Sequence, residues 1–290
     1  MIKEKTKQFY TLKNDIIFKN VFDTEERLKR LLEETLRLNI NKVIKSNVEL
    51  SVENIKERRK YLDLILETDK GIINVELNYG YKDELPYRNL LYFCKLISSN
   101  VKKTKSYARI DKHIQLNINW NLNKYLNFDI TNKKIIKFHI SNDETYEKLH
   151  EDIFEIVYIN MDYFERVWYD GNIKEENPFL MLLAAPTKEK MDTICKGDNL
   201  MEKLNNKVKN LNDDSEIIDV IIENEDEIIM NSMYDRGFEK GINQGVSQGI
   251  QQGITERNVE IARKMLGEKI DISMISKVTG LSEKEIEDLR

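Results

Sequence analysis

The chain has 290 residues, 46 basic against 51 acidic and 40% hydrophobic, which is apolar material for one large or two small cores without collagenous or low-complexity bias. Its longest uninterrupted apolar run, Phe179 to Ala185, falls far short of the ~20 residues that span a bilayer, and MIKEKTKQFY lacks the apolar stretch of a signal peptide, so a soluble cytoplasmic protein with no membrane partner is expected. Two cysteines, Cys94 and Cys195, leave no CxxC metal site, and His113, His139 and His150 are too few for an ordinary zinc centre, so any catalytic metal must lean on carboxylates.

Two helices are expected first. Asp15, Phe18, Lys19 and Phe22 recur at i, i+3, i+4 and i+7, which puts an acid on one face with two aromatics. A second helix follows Asp23, with Glu26 three residues on in the pattern of a capping box and Leu28, Leu31, Leu32 and Leu36 turned to a core. Period-2 segments come next, weak at 47–52 and strong at 61–67 and 72–78. The last two are separated by Thr68-Asp69-Lys70-Gly71, a composition suited to a tight hairpin. A helical stretch runs from Pro86 to about Asn100, and strands are expected at about 113–119, 134–140 and 153–160. From about Asp162 the pattern turns helical, with an acidic stretch between Asp213 and Glu227.

The last segment is different. Gly237, Gly241, Gly245, Gly249 and Gly253 recur every four residues, each followed by an apolar residue: Phe238, Ile242, Val246, Ile250 and Ile254. Five glycines cost a helix interior roughly 1 kcal/mol each relative to alanine, which speaks for a linker. A linker, however, has no reason to place an apolar residue after every glycine. On a helix a four-residue repeat winds its stripe right-handedly and lets two backbones approach, so a self-associating helix and a homo-oligomer are the preferred expectation. Beyond it, Asp271 caps one short helix and Ser282, with Glu285 three on, caps another, a helix-turn-helix-like pair around 279–281. Residues 282–290 carry four acids against Lys284 and Arg290, a charge that opposes entry into a DNA groove, so the pair reads as a packing or protein-contact element.

The hairpin carries the chemistry. If Asp69 and Lys70 form a two-residue tip, Glu67 faces Ile72, Ile65 faces Asn74 and Asp63 faces Glu76. Opposed Cβ atoms on an antiparallel pair lie ~4.5–5.5 Å apart, where like charges repel unless a cation lies between them. Leu62, Leu64 and Leu66 line one side, whereas Asp63, Glu76 and Asn78 converge on the other. The competing reading is a solvated sheet face on which acids are ordinary. Charge is also segregated: residues 1–130 carry +7 and residues 131–290 carry −12. Short clusters such as Arg58-Arg59-Lys60 and Lys102, Lys103 and Lys105 form either a footprint for a polyanion or merely solvated faces.

Taken in order, LKNDIIFKNVF, YLDLILETDKGIINVELN, YRNLLYFCKLI and KSYARIDKHIQLNIN resemble the PD-(D/E)XK nuclease superfamily, and within it the recombination-promoting nuclease/transposase family. The glycine repeat followed by RKMLGEKIDISMISKVTGLSEKEIEDL resembles the endings of such proteins. The resemblance implies an α/β (α+β), restriction-endonuclease-like core, a central mixed sheet flanked by helices, over 1–160. A helical extension over 161–233 and a glycine-repeat helix with a small helical element over 234–290 would follow. It implies metal-dependent DNA cleavage with Mg²⁺, or Mn²⁺, held by Asp63 and Glu76, and Asp15 matches the family's N-terminal acid. Asn78 stands where the superfamily has lysine and this family often glutamine. An amide can hydrogen-bond a water or phosphate oxygen but brings no positive charge. Lys82 or Lys95 could supply a migrated charge, although a solvated surface lysine is the preferred reading of each, and Arg88, Tyr92 and Tyr107 match recurrent polar positions that serve either packing or phosphate contact.

A DNA-binding or assembly protein with a weakened nuclease site is the main alternative, and Asn78 is what favours it. A hydrolase built on nucleophilic Ser, Cys or His has no support, since GxSxG is absent, and so are the phosphate-cradling GxxxxGK[ST] and GxGxxG loops.

Overall fold

Six strands form one mixed sheet among the residues that the computed structural model describes, namely 8–46, 64–80, 82–100, 111–148 and 153–289. They are β1 (Val43–Ser46), β2 (Leu64–Thr68), β3 (Gly71–Asn78), β4 (His113–Asn119), β5 (Ile135–His139) and β6 (Phe154–Asn160), in the order β1-β2-β3-β4-β6-β5. β3, β4 and β6 run parallel, and the outer pairings are antiparallel. Because β4 is paired on both edges and covered on both faces, all of its residues are buried.

The hairpin forms as its composition dictates. Ile65 pairs with Asn74 and Glu67 with Ile72, so the expected register is the observed one. Asp69 at the tip accepts hydrogen bonds from the backbone N–H groups of Asn41 and Lys42, and Lys70 above all holds its carboxyl below the usual range. Gly71 closes the turn at φ +118°, a conformation L side chains rarely adopt, and a Cβ there would lie 2.2 Å from the Lys112 carbonyl oxygen that accepts from Ile72 N–H. Gly71→Ala is therefore expected to cost about 3 kcal/mol, since strained φ and a backbone clash add. A lowered urea midpoint at unchanged m-value would show it.

Around the sheet lie α1 (Asp15–Val21), α2 (Glu25–Leu36), α3 (Leu85–Asn100), α4 (Leu122–Leu126), α5 (Met161–Asp170), α6 (Pro178–Leu183), α7 (Lys188–Ile194) and α8 (Asn199–Asp213). The Asn14 side chain caps α1 by accepting from Ile16 and Ile17 N–H, and the helix buries Phe18 against Phe22, which meets Phe179 edge-on. In α3, Pro86 sits in the first turn, where its missing N–H costs nothing. Asn212 of α8 exchanges two hydrogen bonds with the Tyr10 backbone and so ties the N-terminal segment to the helical layer.

Two elements are absent from the sequence expectations. β1 is only four residues of VIKS with Ile44 exposed, too short to show alternation, and α4 is a five-residue helix entered through Asn121 in the left-handed region. The weak strand expected at 47–52 lies outside the described residues.

The chain divides into two compact units, Met1–Asp219 and Val220–Arg290. α9 (Ser215–Gly267) takes in the whole glycine repeat, which is helical rather than a linker. α10 (Ile272–Thr279) and α11 (Glu283–Glu287) close a small core of Ala262, Ile275 and Ile286. Gly280 at φ +72° makes the turn between them, and Ser282 and Glu285 complete the expected capping box. Asp271 stands at the N-cap of α10, but its carboxylate accepts from Ser273 Oγ instead of a helix N–H.

Candidate functional site

Alternation sorts the central strands into two faces. Ile73 and Val75 of β3, Ile114, Leu116 and Ile118 of β4, and Val157 and Ile159 of β6 supply an apolar one. Asn74, Glu76 and Asn78 share the other, and the parallel register sets Gln115, Asn117 and Asn119 beside them. This second face is not solvated. Glu76 is 3% exposed, and Asn74, Asn78, Gln115, Asn117 and Asn119 are buried with it, which removes the reading of Glu76 as an ordinary surface acid.

The buried groups are joined. Asn74 Nδ2 donates to Glu76 Oε1 (3.1 Å) and to Gln115 Oε1 (2.8 Å), and Gln115 Nε2 donates to Asn117 Oδ1 (3.2 Å). Asn117 Nδ2 reaches the Val157 carbonyl (3.4 Å). From α3, Asn89 Nδ2 donates to Asn117 Oδ1 (3.4 Å) and Asn78 Oδ1 (3.3 Å), and Asn78 Nδ2 donates to Asn119 Oδ1 (3.0 Å). Three atoms of the row are buried without a hydrogen-bond partner: Asn74 Oδ1, Asn89 Oδ1 and Asn119 Nδ2. Each such vacancy costs about 1–3 kcal/mol.

Tyrosines and a cation complete this neighbourhood. Burial, helped by Tyr158 and by the Glu76 charge, pushes the Tyr125 hydroxyl far above its ordinary pKa, while the neighbouring Asn89 amide and the Arg88 charge act the other way. Tyr158 is itself pushed up to about 12 by burial. The Arg88 guanidinium lies 6.0 Å from the Tyr92 ring centroid, with its Nε buried and without a hydrogen-bond partner. Tyr79 and Trp120 directly follow Asn78 and Asn119, and Lys13 stands over both rings at 5.7 and 5.9 Å while pairing with Glu165 of α5. The segment entering α1 thus packs on the C-terminal ends of β3 and β4.

The sequence-derived residues are placed unevenly. Glu76, Asn78 and Arg88 fall on or beside the buried row. Asp15 forms an i,i+4 pair with Lys19 (3.0 Å), and its Oδ1 is buried without a hydrogen-bond partner. Lys82 is exposed, and Lys95 and Tyr92 are half-buried on α3. Asp63, Arg58, Arg59, Lys60, Lys102, Lys103, Lys105 and Tyr107 lie outside the described residues. Sequence reasoning missed Asn74, Asn89, Gln115, Asn117 and Asn119. Their signal was available, since N-x-E-x-N and Q-x-N-x-N place polar residues at period 2 within otherwise apolar strands.

His113 begins β4 on the same face. Its Nδ1–H donates to the Asp111 carbonyl (2.6 Å), which leaves Nε2 buried and unpaired. Burial lowers its pKa below the ordinary 6.5, the Asp111 contacts opposing. The unfolded chain takes up this proton as the pH falls below about 6.5 while the folded chain resists, so stability present above that pH is lost toward the lowered folded value. The urea midpoint is expected to drop between pH 7 and about pH 5, and to drop less in His113→Gln.

Hard oxygen donors dominate the row, and Mg²⁺ needs only one or two protein carboxylates beside its waters, so the residue chemistry fits such an ion. The unpaired amide oxygens of Asn74 and Asn89 are acceptors that a hydrated cation would satisfy. Among the described residues no three of His, Cys, Asp or Glu gather at one point, so Glu76 would act with Asp63 or with water. No helix among the described residues is long and apolar enough to cross a membrane.

Residues 12–232 match the family described as PD-(D/E)XK nuclease family transposase, and residues 255–290 match the Rpn/YhgA-like nuclease family, C-terminal HTH domain. No curated protein and no solved structure matches the chain. The first match spans most of the sequence and takes in the whole sheet, its mixed strands flanked by helices as in restriction-endonuclease-like folds. The chain therefore belongs to the PD-(D/E)XK nuclease family of transposases.

Proposed function

We propose that this protein is a divalent-metal-dependent DNA endonuclease, linked to recombination or mobile-element biology, in which Asp63 and Glu76 hold Mg²⁺, or Mn²⁺ in its place. The observation that carries the proposal is the burial of Glu76 within the amide row. Withdrawing a carboxylate from water costs several kcal/mol, and an apolar residue of that volume would serve stability better, which supports a chemical rather than a structural role for Glu76. The ion, when bound, neutralises phosphate oxygens and acidifies a bound water. Glu76 offers oxygen and charge, and Asn74 fixes one of its oxygens. The Arg88 guanidinium supplies positive charge that Asn78 lacks, and Asp15 contributes a further acid. The clusters Arg58-Arg59-Lys60 and Lys102, Lys103 and Lys105, with Tyr107, hold backbone phosphates with little sequence preference. Purified protein should nick or linearise plasmid with Mg²⁺ and stop with EDTA.

A second reading, a nuclease-fold protein that binds DNA without cutting it, is favoured by one observation. Both ends of the Asn78 amide are taken by Asn119 and Asn89, so it has little left for a substrate. An intact plasmid together with salt-sensitive DNA binding would decide for it.

The same proposal includes a homo-oligomer formed through α9. Phe238, Ile242, Val246, Ile250 and Ile254 are 49–62% exposed, and nothing lies within 4 Å of a Cβ built at Gly237, Gly241, Gly245, Gly249 or Gly253. A second copy of this helix, whose stripe carries the same repeat, is the proposed occupant. Two cores in one assembly would suit cleavage of both strands, in the cytoplasm where such DNA lies. The pair α10–α11, expected to be a packing or protein contact because α11 is acidic, lies within the match to a C-terminal HTH domain, which favours DNA as its partner.

A further inference from the structure

The amide row has a direction. Glu76 Oε1 accepts from Asn74, so Asn74 turns its NH₂ toward Glu76, and its second hydrogen obliges Gln115 to present its carbonyl oxygen. Gln115 then donates to Asn117, which presents its own NH₂ to the Val157 carbonyl, a group that only accepts. Both ends of this path are acceptors, and they are reconciled because Asn74 spends both hydrogens. Turning any one amide over would set oxygen against oxygen or NH₂ against NH₂. From α3, Asn89 uses its two hydrogens on Asn117 and Asn78, which fixes Asn78 in turn on Asn119.

Seven buried side chains from two strands and a helix thus share one pattern of hydrogen bonds, with Glu76 at its charged end. Such a row is a poor way to obtain stability alone, since three of its polar atoms remain unpaired and an apolar layer would leave none. It is a good way to hold one carboxylate oxygen in a fixed direction, because the outer partners of a metal ligand set its orientation.

We propose that Asn74, Gln115, Asn117 and Asn89 are positioning residues that orient the Glu76 carboxylate toward a divalent cation, with Asn78 a wall of the site and not a group that meets the substrate. This rests on the reading of Glu76 as a metal ligand.

The test is Mn²⁺ affinity of the full-length protein, followed by the electron paramagnetic resonance signal of the free ion, for the parent, Glu76→Ala, Gln115→Leu and Asn89→Ala. Gln115→Leu should weaken Mn²⁺ binding at least about tenfold and Asn89→Ala should act in the same direction, with kcat for plasmid cleavage falling while KM for DNA stays. A merely structural row would lower the unfolding midpoint and leave the folded protein's Mn²⁺ affinity alone. Parental affinity in folded Gln115→Leu overturns the network and leaves Glu76 as a ligand. If that variant does not fold, parental affinity in Asn89→Ala has the same force. A parent whose Mn²⁺ binding is indifferent to Glu76→Ala overturns the metal reading, and the network with it.

Discussion

Replacing Glu76 by alanine is expected to lower plasmid cleavage at least about a thousandfold, equivalent to roughly 4 kcal/mol of lost transition-state stabilisation. The substitution removes an oxygen donor and its charge from a buried position where both act at low dielectric. The fold should persist, since Asn74 retains Gln115 as an acceptor and Val75 keeps its place opposite Leu64. Asp63→Ala is expected to have the same effect, and Glu76→Gln separates charge from shape by keeping an oxygen for Asn74 while removing the anion. Cleavage by Glu76→Ala and Asp63→Ala at the parental rate would show that the acids of the hairpin are not the reacting centre.

Replacing Gly245 and Gly249 together by leucine is expected to convert the assembled protein to monomer. Leucine restores roughly 2 kcal/mol of intrinsic helix preference, so α9 itself should become the better helix. What it removes is the close approach of a second backbone, because nothing within α9's own surroundings occupies the space above those glycines. Helix content should hold or rise while the mass measured by light scattering falls. A parent already monomeric at high concentration would leave the exposed stripe from Phe238 to Ile254 without the proposed occupant. Loss of helix in the variant would instead mean that the glycines serve α9 internally.

The hairpin shows what a sequence can reveal. Two segments of period 2 and a Thr-Asp-Lys-Gly tip suit a two-residue turn at Asp69 and Lys70, and the register that follows from that turn is the one the structure has. The helices with clear apolar stripes, α1 and α2, were legible from that spacing, and α11 from its Ser282–Glu285 capping box. The box expected at Asp23 and Glu26 does not form, since α2 takes Thr24 as its N-cap without a side-chain cap, and the Asn14 cap of α1 was not foreseen. What escaped was short or non-local. VIKS carries too little pattern to be seen as a strand, although it completes the sheet.

The buried amide row escaped for a different reason. Each Asn looks, in isolation, like a surface residue, and its burial follows only from β4 being paired on both edges with α3 above it. Asn78 illustrates the consequence. Alone on a strand it reads as a group waiting for water or phosphate. Beside Asn119 and Asn89 it has both ends of its amide engaged.

A crystal of the full-length protein soaked with Mn²⁺ tests the central claim most directly, because manganese is located by its anomalous scattering without reference to activity. The expected result is a peak bonded to a Glu76 carboxylate oxygen and shared with Asp63, at an oxygen–metal distance of roughly 2.0–2.3 Å. A crystal in which Mn²⁺ binds elsewhere, or leaves the Glu76 carboxylate without an ion at saturating concentration, would contradict it.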